Sequence, residues 1–347
     1  IIHFYEKFLK SYDKKIKVNR GVFYTPRPVV SNIVRTLDYK LTEDFNLEDG
    51  LADTSTWGDI IERFPNISVP DGISLTEPFV QILDPATGTG TFMVEVFSYI
   101  YEKLVGKWKD IGKTPNQIKS SWNAYLSKHL LKVFTSYELM MTPFVIAHMK
   151  INLFLKQTGY TGNEDVRIFL TNTLESPKPV ETWVPDYLAN QSISVNNSKL
   201  KSKFTVILGN PPYSGRSWNL SDEVKLIVEP YKYIEGKKIK ERGALQLEKN
   251  IQEDYIKFIS FAEQKILETG CGIIGYVISH GILDNITLRG ARYSLMKTFN
   301  DITLLDMHGN ISRTAISPLG DKDENVFDIK KTGALVLILS KSPGVNI

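Results

Sequence analysis

The sequence predicts an α/β fold: a seven-stranded, mostly parallel sheet with an antiparallel last strand, preceded by a helical N-terminal segment. Two observations carry this expectation. Short apolar runs of strand length alternate with longer stretches whose apolar residues recur three and four apart, the pattern of strands covered by helices on both faces. Two of the runs end in glycine- or proline-rich turns, at the strand ends where open α/β sheets bind their ligands.

Residues 1–45 read as helical, with a break at Thr25-Pro26-Arg27-Pro28, and residues 46–78 read as a polar, proline-punctuated insert or linker. Strands are expected at 80–84, 132–137, 166–170, 204–208, 272–278, 302–306 and 334–339. Helices are expected at 91–104, 142–155, 252–267 and 288–299. Only a polar segment around 321–324 separates the last two strands, so their pairing should be hairpin-like and antiparallel. Two units follow: an N-terminal segment over 1–78 and a core over 79–347.

Composition narrows the function. The 347 residues are 42% hydrophobic and 23% charged, with no apolar run long enough to span a membrane. The single cysteine, Cys271, excludes an internal disulfide, and five scattered histidines give no zinc-binding spacing, so no metal is expected. A reducing cytoplasm fits this usage. The chain opens at Ile1-Ile2 without an initiator methionine or signal peptide and stops just after an apolar run; both ends are expected to be cuts in a longer polypeptide. A net charge of +3 says little about a polyanionic partner. Two basic clusters, Lys199, Lys201 and Lys203, and Lys237, Lys238, Lys240 and Arg242, read either as phosphate-tracking loops or as solvated faces.

The first strand runs into Asp84-Pro85-Ala86-Thr87-Gly88-Thr89-Gly90-Thr91-Phe92 and then a helical pattern. Gly88 and Gly90 permit close backbone approach to a ligand. A dinucleotide fingerprint needs a third glycine where Met93 stands, which argues against a nicotinamide cofactor. Asp84 would repel a pyrophosphate, yet it suits a cationic ammonium group; the alternative is a tight turn with Asp84 as a helix cap. Glu138, at the end of the second strand, is placed to accept hydrogen bonds from ribose hydroxyls. Gly112-Lys113-Thr114 imitates the end of a phosphate-binding loop, but the upstream glycine is misplaced and Pro115 follows, so it reads as an ordinary loop.

The fourth strand ends in Gly209-Asn210-Pro211-Pro212-Tyr213. Consecutive prolines fix the backbone and remove two N–H donors, so the Asn210 side-chain oxygen and the Pro211 carbonyl can both accept from one planar amine. An aniline-like amine is a poor nucleophile because its lone pair is delocalised into the ring. Drawing on both of its protons pulls the nitrogen toward a tetrahedral shape and frees that lone pair to attack a methyl sulfonium. Tyr213 offers a face on which an extruded base stacks, worth about 1–3 kcal/mol, comparable with the few kcal/mol that flipping costs. The bland alternative is a proline-stiffened turn.

On these residues the chain resembles the class I, Rossmann-like amino-methyltransferases, and among them the gamma-type N6-adenine DNA methyltransferases. Gly21-Val22-Phe23-Tyr24-Thr25-Pro26, the glycine turn and Asn210-Pro211-Pro212-Tyr213 follow one another in that family's order. More closely, the chain is similar to the methyltransferase part of single-polypeptide, Type ISP restriction-modification enzymes, through Asp254-Tyr255-Ile256-Lys257-Phe258, Asp306-Met307-His308-Gly309-Asn310 and Asp323-Glu324-Asn325-Val326-Phe327-Asp328. The resemblance implies S-adenosyl-L-methionine bound by Phe23, Tyr24, Thr25, Asp84, Ala86, Gly88, Gly90, Thr91, Phe92, Glu138 and Asn172. It implies catalysis by Asn210, Pro211 and Tyr213, with Phe327 as a second aromatic near the flipped base, a core phenylalanine being the alternative.

Where many relatives place an acid for the cofactor adenine, this chain has Asn172, which could offer that edge both a donor and an acceptor. The implied partners are double-stranded DNA and the nuclease, helicase-like and target-recognition domains of the same bacterial polypeptide, the last expected to lie outside this chain. Asn-Pro-Pro-Tyr also suits enzymes that methylate protein glutamine or RNA amines, and a nicotinamide-dependent oxidoreductase is a more distant reading.

Overall fold

The computed structural model describes residues 25–177, 186–213, 217, 219–240, 249–308 and 333–344, with 186–191 as backbone. Phe23, Tyr24, Arg242 and Phe327 lie outside the described residues. Seven strands form the main sheet: β1 (Ile82–Asp84), β2 (Phe134–Glu138), β3 (Arg167–Leu170), β4 (Val206–Gly209), β7 (Gly272–Ser279), β8 (Asp301–Asp306) and β9 (Ala334–Lys341). Their order is β3-β2-β1-β4-β7-β9-β8. All pairings are parallel except those of β9, which runs antiparallel to β7 and β8. The expected strands are all present, and β8 pairs with β9 as foreseen, from Asp301↔Ser340 to Asp306↔Leu335. Reversal of strand order between β1 and β4 puts the topological switch point at the carboxyl ends of these two strands, where such sheets place ligands.

Helix α1 (Arg27–Phe45) follows Pro26 and carries Pro28 in its first turn, where no intrahelical N–H is needed. Val30, Ile33, Val34, Leu37, Leu41 and Phe45 make one buried stripe that packs against β7, β9 and α3 (Thr91–Asp110). Close approach is possible because β7 has Gly275 there: a Cβ would stand 2.8 Å from Ile33 Cγ2. Asp38, also buried, accepts from Leu51 N (2.8 Å), the Tyr99 hydroxyl (2.8 Å) and Lys103 Nζ (2.8 Å). The described part of 1–78 therefore shares one core with the sheet.

Residues 46–78 are more ordered than a loop-rich insert. Thr56 and Asp59 form a capping box that starts α2 (Trp57–Arg63), and Trp57 and Ile60 are buried, with the Trp57 ring edge-on to Phe79 at 4.9 Å. Thr114 and Gln117 likewise cap α4 (Pro115–Tyr125), so the Gly112-Lys113-Thr114 decoy is a helix start. Helices α5 (Met141–Gln157), α8 (Asp254–Thr269) and α9 (Arg289–Thr298) stand where periodicity places them. α6 (Asp186–Lys201) and α7 (Asp222–Leu226) are additional, as is a two-stranded hairpin, β5 (Tyr233–Ile234) with β6 (Lys237–Lys238).

The two basic clusters lie in different surroundings. Lys199 is engaged by the carbonyls of Asn172 and Glu175, in the loop after β3, and Lys203, just before β4, by Glu268 at 3.4 Å. Lys237 and Lys238 are exposed on the hairpin.

Candidate functional site

Asp84 is the last residue of β1 and is fully buried. Its Oδ1 accepts from Ala86 N at 3.1 Å, while its Oδ2 has no hydrogen-bond partner among the described residues. Burial pushes its carboxyl up to about 7, the Ala86 N–H and Thr87 hydroxyl pull the other way, and the Glu138 carboxylate adds to the rise. A buried, half-satisfied acid on this scale is a place that a cation would stabilise. Helix α3 starts at Thr91 with Gly90 as its N-cap and no side-chain cap, so Asp84 is not a helix cap.

The glycine turn wraps over the end of β2. Glu138 ends that strand, and its Oε2 accepts from Gly88 N (2.9 Å) while Oε1 accepts from Met140 N (2.7 Å). Burial raises the Glu138 carboxyl, and these main-chain donors oppose the rise. Gly88 has φ 54° and a Cβ there would meet open space; Gly90 has φ 76° and a Cβ there would come 3.1 Å from Ala147 on α5. Gly88 thus keeps a surface open, and Gly90 lets α5 pack beneath the turn. Ala86 is half-buried in the turn, and Thr91 opens α3. Phe92, expected at the cofactor, is buried in the main core cluster.

Beside this turn lies the tetrapeptide. Register pairs Ile82 with Val206 and Leu83 with Ile207, so Asn210 stands two residues beyond the level of Asp84, about 7 Å along the neighbouring strand. Its Nδ2 donates to Thr25 Oγ1 at 2.8 Å, and Thr25 is itself buried. Because an amide's nitrogen and oxygen diverge, Asn210 Oδ1 faces away from Thr25. Thr25 and the tetrapeptide thereby meet across the fold. Pro211 is buried, and the half-buried Tyr213 touches both large core clusters, which raises its hydroxyl pKa through burial.

Asn172 follows β3. Its Oδ1 accepts from Leu174 N (3.2 Å), and its Nδ2 donates to Glu175 Oε1 (3.0 Å) and Asn219 Oδ1 (2.9 Å). Contact with an adenine edge would have to exchange one of these bonds. Thr173 Oγ1 donates to the Pro85 carbonyl, joining this loop to the Asp84 turn.

Three residues that the sequence reading missed belong to the same neighbourhood. Gly209 has φ 154°, and a Cβ there would lie 2.9 Å from Asp84 Oδ1. Ser136 pairs with Asp84 across β1 and β2, Tyr276 pairs with Gly209 across β4 and β7, and both buried hydroxyls lack partners among the described residues. Gly209→Ala is expected to cost about 1–3 kcal/mol of stability by overpacking and to weaken ligand binding at Asp84. Chemical denaturation and calorimetry would show it, and unchanged values for both would contradict this packing.

The strand order, with β9 antiparallel to its neighbours and the switch point between β1 and β4, is that of a class I methyltransferase fold. The chain belongs to the N-6 DNA methylase family, whose sequence pattern matches residues 72–298. Among solved structures it is similar to the ATP-dependent Type ISP restriction-modification enzyme LlaBIII bound to DNA, at 24% identity and TM-score 0.72 over 100% of this chain and 21% of that one. A nuclease-deletion mutant of the Type ISP enzyme LlaGI, in complex with a DNA substrate mimic, is 23% identical with TM-score 0.71, over 100% of this chain and 25% of that one. The DrdV–DNA complex is 24% identical with TM-score 0.67, over 99% and 29%. The chain thus spans between about a fifth and three-tenths of the length of these structures. No curated protein matches it. Among the described residues, no helix is long and apolar enough to cross a membrane, and no group of histidine, cysteine or acidic side chains is arranged to hold a metal ion.

Proposed function

We propose that the chain methylates N6 of an adenine rotated out of double-stranded DNA, with S-adenosylmethionine as donor. We further infer that it serves as the methylating part of a bacterial, cytoplasmic Type ISP restriction-modification enzyme, beside nuclease, helicase-like and target-recognition domains of the same polypeptide. The observation that carries the reading is the meeting of Asn210, Thr25 and Asp84 at one end of two adjacent strands.

The residues fit the donor. Asp84, with one orphaned oxygen, takes the methionine ammonium group, and Glu138, fixed by two main-chain N–H groups, turns its remaining lone pairs to the ribose hydroxyls. Leu139, exposed directly after Glu138, offers an apolar surface for the adenine ring. The cofactor supplies an electrophilic methyl group on a sulfonium centre.

The chain supplies the rest. Thr25 orients the Asn210 amide so that Oδ1 and the Pro211 carbonyl accept the two protons of the target amine. The nitrogen would become nucleophilic as its lone pair leaves the ring, the bound donor would supply the methyl carbon and keep the sulfur's electron pair, and the amine's surplus proton would depart to solvent. Tyr213, wedged between two core clusters, gives the extruded base a rigid face. Positioning then lowers much of the barrier, since an in-line displacement needs nitrogen, carbon and sulfur nearly collinear.

Methyl-labelled cofactor given to the full-length protein with DNA, RNA and protein in parallel tests this reading. Label is expected in DNA, recovered as N6-methyladenine after nucleoside analysis. Label confined to RNA or protein would overturn it.

A further inference from the structure

Behind the tetrapeptide, Ser217 and Asn219 are tied to α8 by two charged side chains that α8 keeps out of water. Lys257 is fully buried, and its Nζ donates to Ser217 Oγ (2.9 Å) and to the Asn219 main-chain carbonyl (2.7 Å). One turn earlier, the buried Asp254 accepts through Oδ1 from Ser217 Oγ (2.6 Å) and Asn219 Nδ2 (3.1 Å). Lysine is among the residues least often fully buried, and a group so placed is retained only with hydrogen bonds that use it. Here each charge spends itself on the same two residues.

The bonds continue outward from Asn219. Its Oδ1 accepts from Asn172 Nδ2, Asn172 Oδ1 holds Leu174 N, and Thr173 Oγ1 reaches the Pro85 carbonyl beside Asp84. Lys199 fixes the same loop through the Asn172 and Glu175 carbonyls. A continuous line of hydrogen bonds thus runs from α8, through the segment after the tetrapeptide, to the loop on the cofactor side. Asn219 is its junction: one face of its amide meets α8, and the other meets Asn172.

We propose that Asn219, held by Lys257 and Asp254, is a positioning residue that keeps the loop carrying Asn172 in register with the segment behind the tetrapeptide, and so sets cofactor affinity from outside the cofactor pocket. The inference rests on the reading of the Asp84–Glu138 pocket as the S-adenosylmethionine site. Because the strut works through Asn172, removing either asparagine breaks the same connection. Their effects on binding therefore do not add.

Calorimetry with S-adenosylhomocysteine on the intact protein tests it, using Asn219→Ala, Asn172→Ala and the double variant. Asn219→Ala is expected to raise the dissociation constant roughly fivefold, and the double variant no further than the weaker-binding single one. Asn219 is half-buried, so its truncation leaves the fold standing, and thermal melting checks this. Lys257→Met, which keeps the buried stem but removes the donor, is expected to weaken binding in the same direction. A wild-type dissociation constant in Asn219→Ala, or penalties that add in the double variant, would overturn the strut. Failure of the unmutated protein to bind S-adenosylhomocysteine would instead overturn the pocket reading, and the strut with it.

Discussion

Replacing Asn210 by alanine is expected to lower the single-turnover rate of methyl transfer by about 10²–10³-fold, the scale seen when one preorganised polar partner of a transition state is removed. The loss should fall on the chemical step. Asn210 stands beyond Asp84 on the neighbouring strand and bonds to Thr25, whereas the pocket proposed for the donor is formed by Asp84 and Glu138. S-adenosylhomocysteine should therefore bind the variant within about twofold of wild type, a pattern that marks an interaction made only in the transition state. Near-normal transfer by the variant would refute the role given to the amide oxygen.

The second large effect is on pH dependence. Asp84 has a pKa of about 7 in the folded protein against an ordinary 3.8. Between those values the folded state holds a proton that the unfolded chain has released, so this group's contribution to stability is fully present below about pH 4 and is lost as pH rises through about 7. A cationic ammonium group prefers the ionised acid, so its binding expels that proton. Affinity should then rise with pH and level off above about 7. From roughly pH 5.5 to pH 8 the dissociation constant of S-adenosylhomocysteine should fall about ten- to thirtyfold, the penalty for ionising an acid of that pKa at the lower pH. Asp84→Asn should bind weakly with a flat profile. A flat profile in the wild type, or one of opposite slope, would remove Asp84 from the ammonium site.

Much of the fold was legible because its signals are local. Strands buried on both faces read as apolar runs, and α3, α5, α8 and α9 read as 3.6-residue stripes, so each announces itself within a short window. Shorter elements do not. α2 has only Trp57 and Ile60 to bury, and β5 and β6 are two residues each, too few for any period to emerge. The site divides in the same way. Gly88, Gly90, Asp84 and Glu138 stand in one turn and one strand end, where residue chemistry suffices. Gly209 is required because Asp84 lies across the neighbouring strand, and Lys199 is occupied by carbonyls from a distant loop; neither relation exists in one dimension. The burial of Phe92 in the main core is likewise visible only in the packed helix.

The most direct measurement is a structure of the full-length protein with S-adenosylhomocysteine and DNA carrying its recognition sequence. The target adenine is expected out of the helix, its N6 about 2.7–3.2 Å from both Asn210 Oδ1 and the Pro211 carbonyl, facing the sulfur held beside Asp84. An adenine still stacked in the duplex, or an N6 gripped by other groups while Asn210 stays turned away, would contradict the mechanism at its centre.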